Sequence, residues 1–222
     1  MLKSEFPKLS IFETFKTKRE QLTGEAIRQR HIICHLAREN NSTSMTRTAI
    51  AQNIAKKNNL LWKNIYSGVF RDLDEVLIPL NIVTEAGRLP LKRGPKALQE
   101  KGIPHYRLTT NGLLVALSIN EFEQKNSILN KFLSTAEIKE KDFVDVVNTL
   151  VKISPKFTYS MFEIYVRAYC EGKLENLLPF SVSEFQKISK NVFVIQNELL
   201  TGFVTLSKSK KLDILNFFSK FT

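Results

Sequence analysis

Two groups of side chains in this sequence have types and spacings that could do chemistry. One is a set of cations and amides: Lys63, Asn64, Ser67 and Arg71 at near-helical spacing, then Arg88, Lys92, Arg93 and Lys96 in a stretch broken by glycine and proline. Lys and Arg neutralise phosphates, and Arg and Asn carry the paired donors and acceptors that match base edges. The other group is His31, Cys34 and His35, whose spacing puts them on neighbouring parts of one helix face. A zinc site needs a fourth ligand, and the nearby sequence supplies none. Cys34 and His35 are adjacent, and adjacent helical residues do not face each other as a nucleophile and its base must. Arg93-Gly94-Pro95-Lys96 has neither the spacing nor the Ser/Thr of a phosphate-cradling loop, and the carboxylates form no acid/base pair. The expectation is a binding protein and not an enzyme, with no catalytic residue, no metal and no cofactor.

The charge supports a polyanionic partner. The chain of 222 residues carries a net +11, and residues 1–120 hold 19 Lys+Arg against 10 Asp+Glu, while residues 121–222 hold 14 against 12. Nine of the ten arginines precede residue 121, whereas 12 of the 16 phenylalanines follow it. Such asymmetry predicts a polyanion-binding half joined to a more neutral, Phe-packed helical half, with a boundary near 120–135. Hydrophobic residues make up 43% of the chain, enough for a core, and no apolar run is long enough to span a bilayer. Met1 to Lys8 lacks the apolar stretch of a secretory signal, and two cysteines are too few for a disulfide framework. A reduced, cytoplasmic protein is expected, nucleoid-associated if the source is prokaryotic, with no membrane partner.

The elements that must position the cations follow from periodicity. Residues 1–23 read as an arm or a short amphipathic helix. Thr23-Gly24-Glu25 opens a helix to about Asn40, and Asn40 to Ser44 is a polar stop. Thr46 suits the N-cap of a second helix bearing Ile50, Ala51 and Ile54, with Lys57-Asn58-Asn59 as the turn. A third helix is predicted over 61–78. At 100° per residue, Ile65, Val69, Leu73, Val76 and Leu77 share one apolar sector, with Phe70 at its edge. Asn64, Ser67, Gly68 and Arg71 point the other way, and Lys63 sits at the exposed N-terminal end. Small polar and cationic residues on an outward face are what a helix entering a DNA groove requires. Pro79 ends it, Ile82-Val83-Thr84 and Tyr106-Arg107-Leu108 read as short strands, and residues 84–105 form a long basic connection between them.

Phe70…Leu73…Leu77…Asn81-Ile82-Val83 and Tyr106-Arg107-Leu108-Thr109-Thr110-Asn111-Gly112 together resemble the second half of the winged helix-turn-helix superfamily of DNA-binding transcription regulators, in a form frequent in archaea and bacteria. The resemblance covers about 24–120. A glycine often precedes the Leu-Val strand start in that family; here Asn81 replaces it, and Asn also tolerates a left-handed turn. The wing is about twice the usual length.

The resemblance implies a winged helix-turn-helix domain of three helices plus a small β-wing over 24–120, and apolar spacing predicts an all-helical domain over 121–222, so the chain is expected to be mainly α. Across the junction 111–133 reads as one helix or two, with further helices near 136–152, 158–171, 181–200 and 208–220. Phe143, Val147 and Leu150 would form one core stripe, and Phe162, Tyr165 and Tyr169 another. The role of the all-helical domain would be homodimerisation or partner binding. The implied function is sequence-specific binding of double-stranded DNA in transcription regulation. Helix 61–78 would enter the major groove with Lys63, Asn64, Ser67 and Arg71. Arg47 would hold the backbone, and Arg88, Lys92, Arg93 and Lys96 would carry the wing. The alternatives are a winged-helix protein-interaction module within a nucleic-acid or chromatin assembly, and a replication or partition factor.

Overall fold

Thr23 starts the first long helix, α1 (Gly24–Arg38), by accepting a hydrogen bond from the Ala26 N–H at 3.2 Å, which satisfies one of the free donors of the first turn. The structure, a computed structural model, describes residues 7–57, 61–90, 102–120, 122, 124–136, 138 and 142–219, with the backbone alone at 190–192. It is mainly helical with one small antiparallel sheet. Residues 7–22 form the arm and not a helix. Leu9 and Ile11 are buried, the Ser10 N–H donates to Gln29 Oε1 at 2.9 Å, and Arg30 Nε donates to the Ile11 carbonyl at 2.7 Å.

A short 3-10 turn, Ser42–Met45, leads to Thr46, whose Oγ1 accepts from the Ala49 N–H at 3.3 Å at the start of α2 (Arg47–Lys57). The turn expected at Lys57-Asn58-Asn59 falls on residues 58–60, outside the described residues. α3 (Trp62–Arg71) continues directly into a wider π turn over Asp72–Leu77, in which the Ile78 N–H reaches the Leu73 carbonyl at 2.9 Å. The turn is bonded i→i+5 and differs from the uniform α-helix expected over 61–78. Val69, Leu73 and Leu77 are fully buried, while Ile65 and Val76 are only half-buried.

Past Pro79 the chain reverses at Asn81, which takes the left-handed conformation (φ 52) expected of it. β1 (Val83–Leu89) then pairs with β2 (Ile103–Leu108), Val83 opposite Leu108 and Leu89 opposite Ile103. Both strands run further than expected. A register shift between Glu85 and Gly87 lets β1 continue, with Gly87 (φ 152) against the His105 ring. Thr46 adds one antiparallel bridge to His105.

Thr109 caps α4 (Thr110–Leu117) by accepting from the Gly112 N–H at 3.2 Å, and its own N–H donates to the Ile82 carbonyl at 3.0 Å. Leu114, Val115, Ala116 and Leu117 are all buried, because α4 packs against α1, β2, α5 (Lys125–Thr135) and α7 (Pro155–Cys170). The span 111–133 is therefore two helices. α6 (Phe143–Ile153) packs on α7, which Pro155 opens at its first position. Aromatic rings fill this region: Phe132 meets Phe162 edge-on at 5.9 Å, and Phe180 lies 4.7 Å from Phe143 and 4.6 Å from Tyr165, ring centre to centre.

The chain divides into two compact units, Met1–Ser181 and Val182–Thr222. The boundary expected near 120–135 lies inside the first unit, because α4, apolar from Leu113 to Leu117, is shared by the helices on both sides of it. The second unit is α8 (Val182–Thr205) and α9 (Lys208–Phe218), where Lys211 Nζ donates to the Val204 carbonyl at 3.0 Å. Among the described residues, no helix is long and apolar enough to cross a membrane.

Candidate nucleic-acid interface

α3 presents two rows of side chains, each repeating every four residues. Lys63, Ser67 and Arg71 form the outward row, all exposed, and no carboxylate occurs between Trp62 and Arg71. Asn64 is also exposed but lies beside a groove lined by Gly24, Ile27, Arg28, His31, Ile54 and Ile65, which turns it towards α1 and α2. Gly68 was expected on the outward face and is not there. A Cβ at Gly68 would stand 2.9 Å from the Arg28 guanidinium, so its small size serves the packing of α3 on α1.

The second row is aromatic and was not anticipated. Trp62 and Tyr66 meet edge to face at 5.8 Å, and Tyr66 and Phe70 are tilted at 6.4 Å. The Arg47 guanidinium caps this row, 4.0 Å from the Phe70 ring centre and 5.3 Å from that of Tyr106, while pairing with the Asp74 carboxylate. Arg47 therefore ties α2, the π turn and β2 together. Burial pushes the Tyr106 phenol above its ordinary value, with Arg47 opposing.

Other arginines are engaged within the chain in the same way. Arg28 forms a two-pronged ion pair with Asp72, Nε to Oδ2 at 2.5 Å and Nη2 to Oδ1 at 3.0 Å. Burial pushes the Asp72 carboxyl up from its usual range, and Arg28 pulls it only partly back. Arg30 and Arg167 lie over the Phe12 ring at 5.4 and 4.2 Å, and Arg38 over Phe122 at 5.1 Å. The excess of positive charge in residues 1–120 thus overstates the cations that face outward.

On the ribbon, Arg88 is exposed but pairs with Glu85 at 2.7 Å. Lys92, Arg93 and Lys96 fall on 91–101, outside the described residues. Arg107 is exposed on β2 beside the buried Tyr106. Strand alternation alone would have marked it, since Tyr106 inward sends Arg107 outward.

The His31–Cys34–His35 cluster belongs to the packing of α1. His35 is buried with Nε2 2.8 Å from the Ser44 carbonyl, Cys34 is buried, and among the described residues no three His, Cys, Asp or Glu side chains converge as metal ligands. Burial pushes the other thiol, Cys170, up to about 12, so it is not a thiolate at neutral pH.

No protein-family model, curated protein or solved structure matches this chain.

Proposed function

We propose that the chain binds double-stranded DNA through α3 and the β1–β2 ribbon, as a winged helix-turn-helix regulator of transcription. The observation that carries this reading is the outward row Lys63–Ser67–Arg71 on a helix segment without a carboxylate. The element order supports it: α2 packs on α3, an antiparallel ribbon follows, and Thr46 bridges to that ribbon. Lys63 and Arg71 meet phosphates or base edges, Ser67 lets the helix approach closely, and Arg107 holds the backbone beside it. Arg47 has a positioning role, fixing α3 against β2. Recovery and sequencing of DNA bound to the protein in its cells tests the reading. Enrichment at promoters is the expected result, enrichment at origins would move the role to replication, and no enrichment would sink it.

We also propose that copies of the chain associate through α8 and α9. Val194, Ile195, Leu199, Leu200 and Val204 on α8, and Leu212, Leu215, Phe217 and Phe218 on α9, are all exposed, more apolar surface than two helices can hide between themselves.

A further inference from the structure

The two rows of α3 suit different parts of a nucleic acid. Trp62, Tyr66 and Phe70 recur at i, i+4 and i+8, and Lys63, Ser67 and Arg71 follow each of them by one residue. One flank of the helix is therefore a ladder of rings, and the adjoining flank carries cations. Arg47 already covers Phe70 at 4.0 Å, which leaves Trp62 and Tyr66, both half-buried, as the rings with free area. Unpaired bases stack on such rings whatever their sequence, while nearby cations follow the phosphates. A fully paired duplex offers no base faces to them.

We infer that α3 takes DNA in which a duplex adjoins unpaired bases, with Trp62 and Tyr66 stacking on those bases and Lys63 and Arg71 on the phosphates beside them. The inference rests on the DNA-binding reading given above and specifies its substrate.

Trp62 is the only tryptophan in the chain, so intrinsic emission reports on this site alone. The test titrates the full chain with a labelled 30-base-pair duplex, and with the same duplex carrying a central unpaired stretch of six nucleotides. Label anisotropy and Trp62 emission are followed together. The unpaired stretch is expected to tighten binding at least tenfold and to quench Trp62, and Trp62→Leu is expected to abolish the tenfold difference. Equal affinity for the two DNAs overturns the inference and leaves the parent reading standing, as does tighter binding without a change in Trp62 emission. Binding to neither DNA overturns the parent reading itself. The quenching is read in the unmodified chain, so the outcome does not depend on how well the variant folds.

Discussion

Arg28 and Asp72, 44 residues apart in sequence, meet through two hydrogen bonds that fasten α1 to the end of α3, with the Asp72 side chain 1% exposed. Removing Asp72 leaves Arg28, whose side chain is 19% exposed and lines a groove, without its two charge-assisted hydrogen bonds, at a cost of about 1.5–3 kcal/mol. Asp72→Ala is expected to lower the urea midpoint accordingly. Asp72→Ala combined with Arg28→Met should lose less than the two single changes together, and additive losses would show that the groups do not act as a pair.

Gly112 sits where the first turn of α4 crosses the β1 entry. A Cβ there would lie 2.1 Å from the Ile82 carbonyl oxygen, a backbone atom that cannot swing aside. Gly112→Ala is expected to cost about 3 kcal/mol, from overpacking. Gly24→Ala, with nothing within 4 Å of its added carbon, should be neutral or stabilise by about 0.5–1 kcal/mol. Thermal unfolding of the two variants reads the contrast, and equal midpoints would contradict it.

Some of the fold can be read without the structure. The start of α1 at Thr23-Gly24-Glu25, the Thr46 cap and the left-handed Asn81 are local matters, fixed by residue type within a few positions, and they are legible in the sequence. Arg28–Asp72 and Arg47–Asp74 join residues 44 and 27 apart, and no periodicity reports which distant carboxylate an arginine will find. A uniform 100° per residue along α3 cannot show the π turn, and it sets Gly68 outward because Arg28, which lies over that side, belongs to another helix. The aromatic row is visible as Trp62, Tyr66 and Phe70, but at 100° per residue Trp62 and Tyr66 fall inside the apolar sector, so periodicity alone assigns them to the core. The uniformly apolar Leu114–Leu117 run was the local sign that α4 is buried on every side, and so that a boundary near 120 would cut through a core.

Glu163 on α7 gives a pH dependence. Burial pushes its carboxyl up, but hydrogen bonds from Arg167 at 2.8 Å and Asn120 at 2.9 Å outweigh that and hold it below the usual value of 4.5. A carboxyl lowered in the folded state stabilises above its unfolded value, and that contribution fades as pH falls through the folded one. The parent should therefore lose stability below pH 4.5 more steeply than Glu163→Gln, by less than about 1 kcal/mol for this partly exposed pair. Parallel acid titrations of the unfolding free energy would contradict the assignment.

The exposed apolar residues of α8 and α9 predict self-association. Sedimentation equilibrium at micromolar concentration should return twice the 25.5 kDa chain mass, and Leu200→Asp with Leu215→Asp should return the single-chain mass at unchanged helix content. A parent that stays at the single-chain mass would rule out association of copies at that concentration.

The most direct measurement of the central claim is duplex affinity as a function of salt for the parent and for Lys63→Ala with Arg71→Ala, two exposed side chains outside the core. The parent's logarithmic affinity is expected to fall linearly with the logarithm of salt concentration. The double variant should bind at least tenfold more weakly at low salt, with a slope shallower by about 2, one ion release for each lost phosphate contact. A double variant with the parent's affinity and slope would show that α3 does not face the DNA.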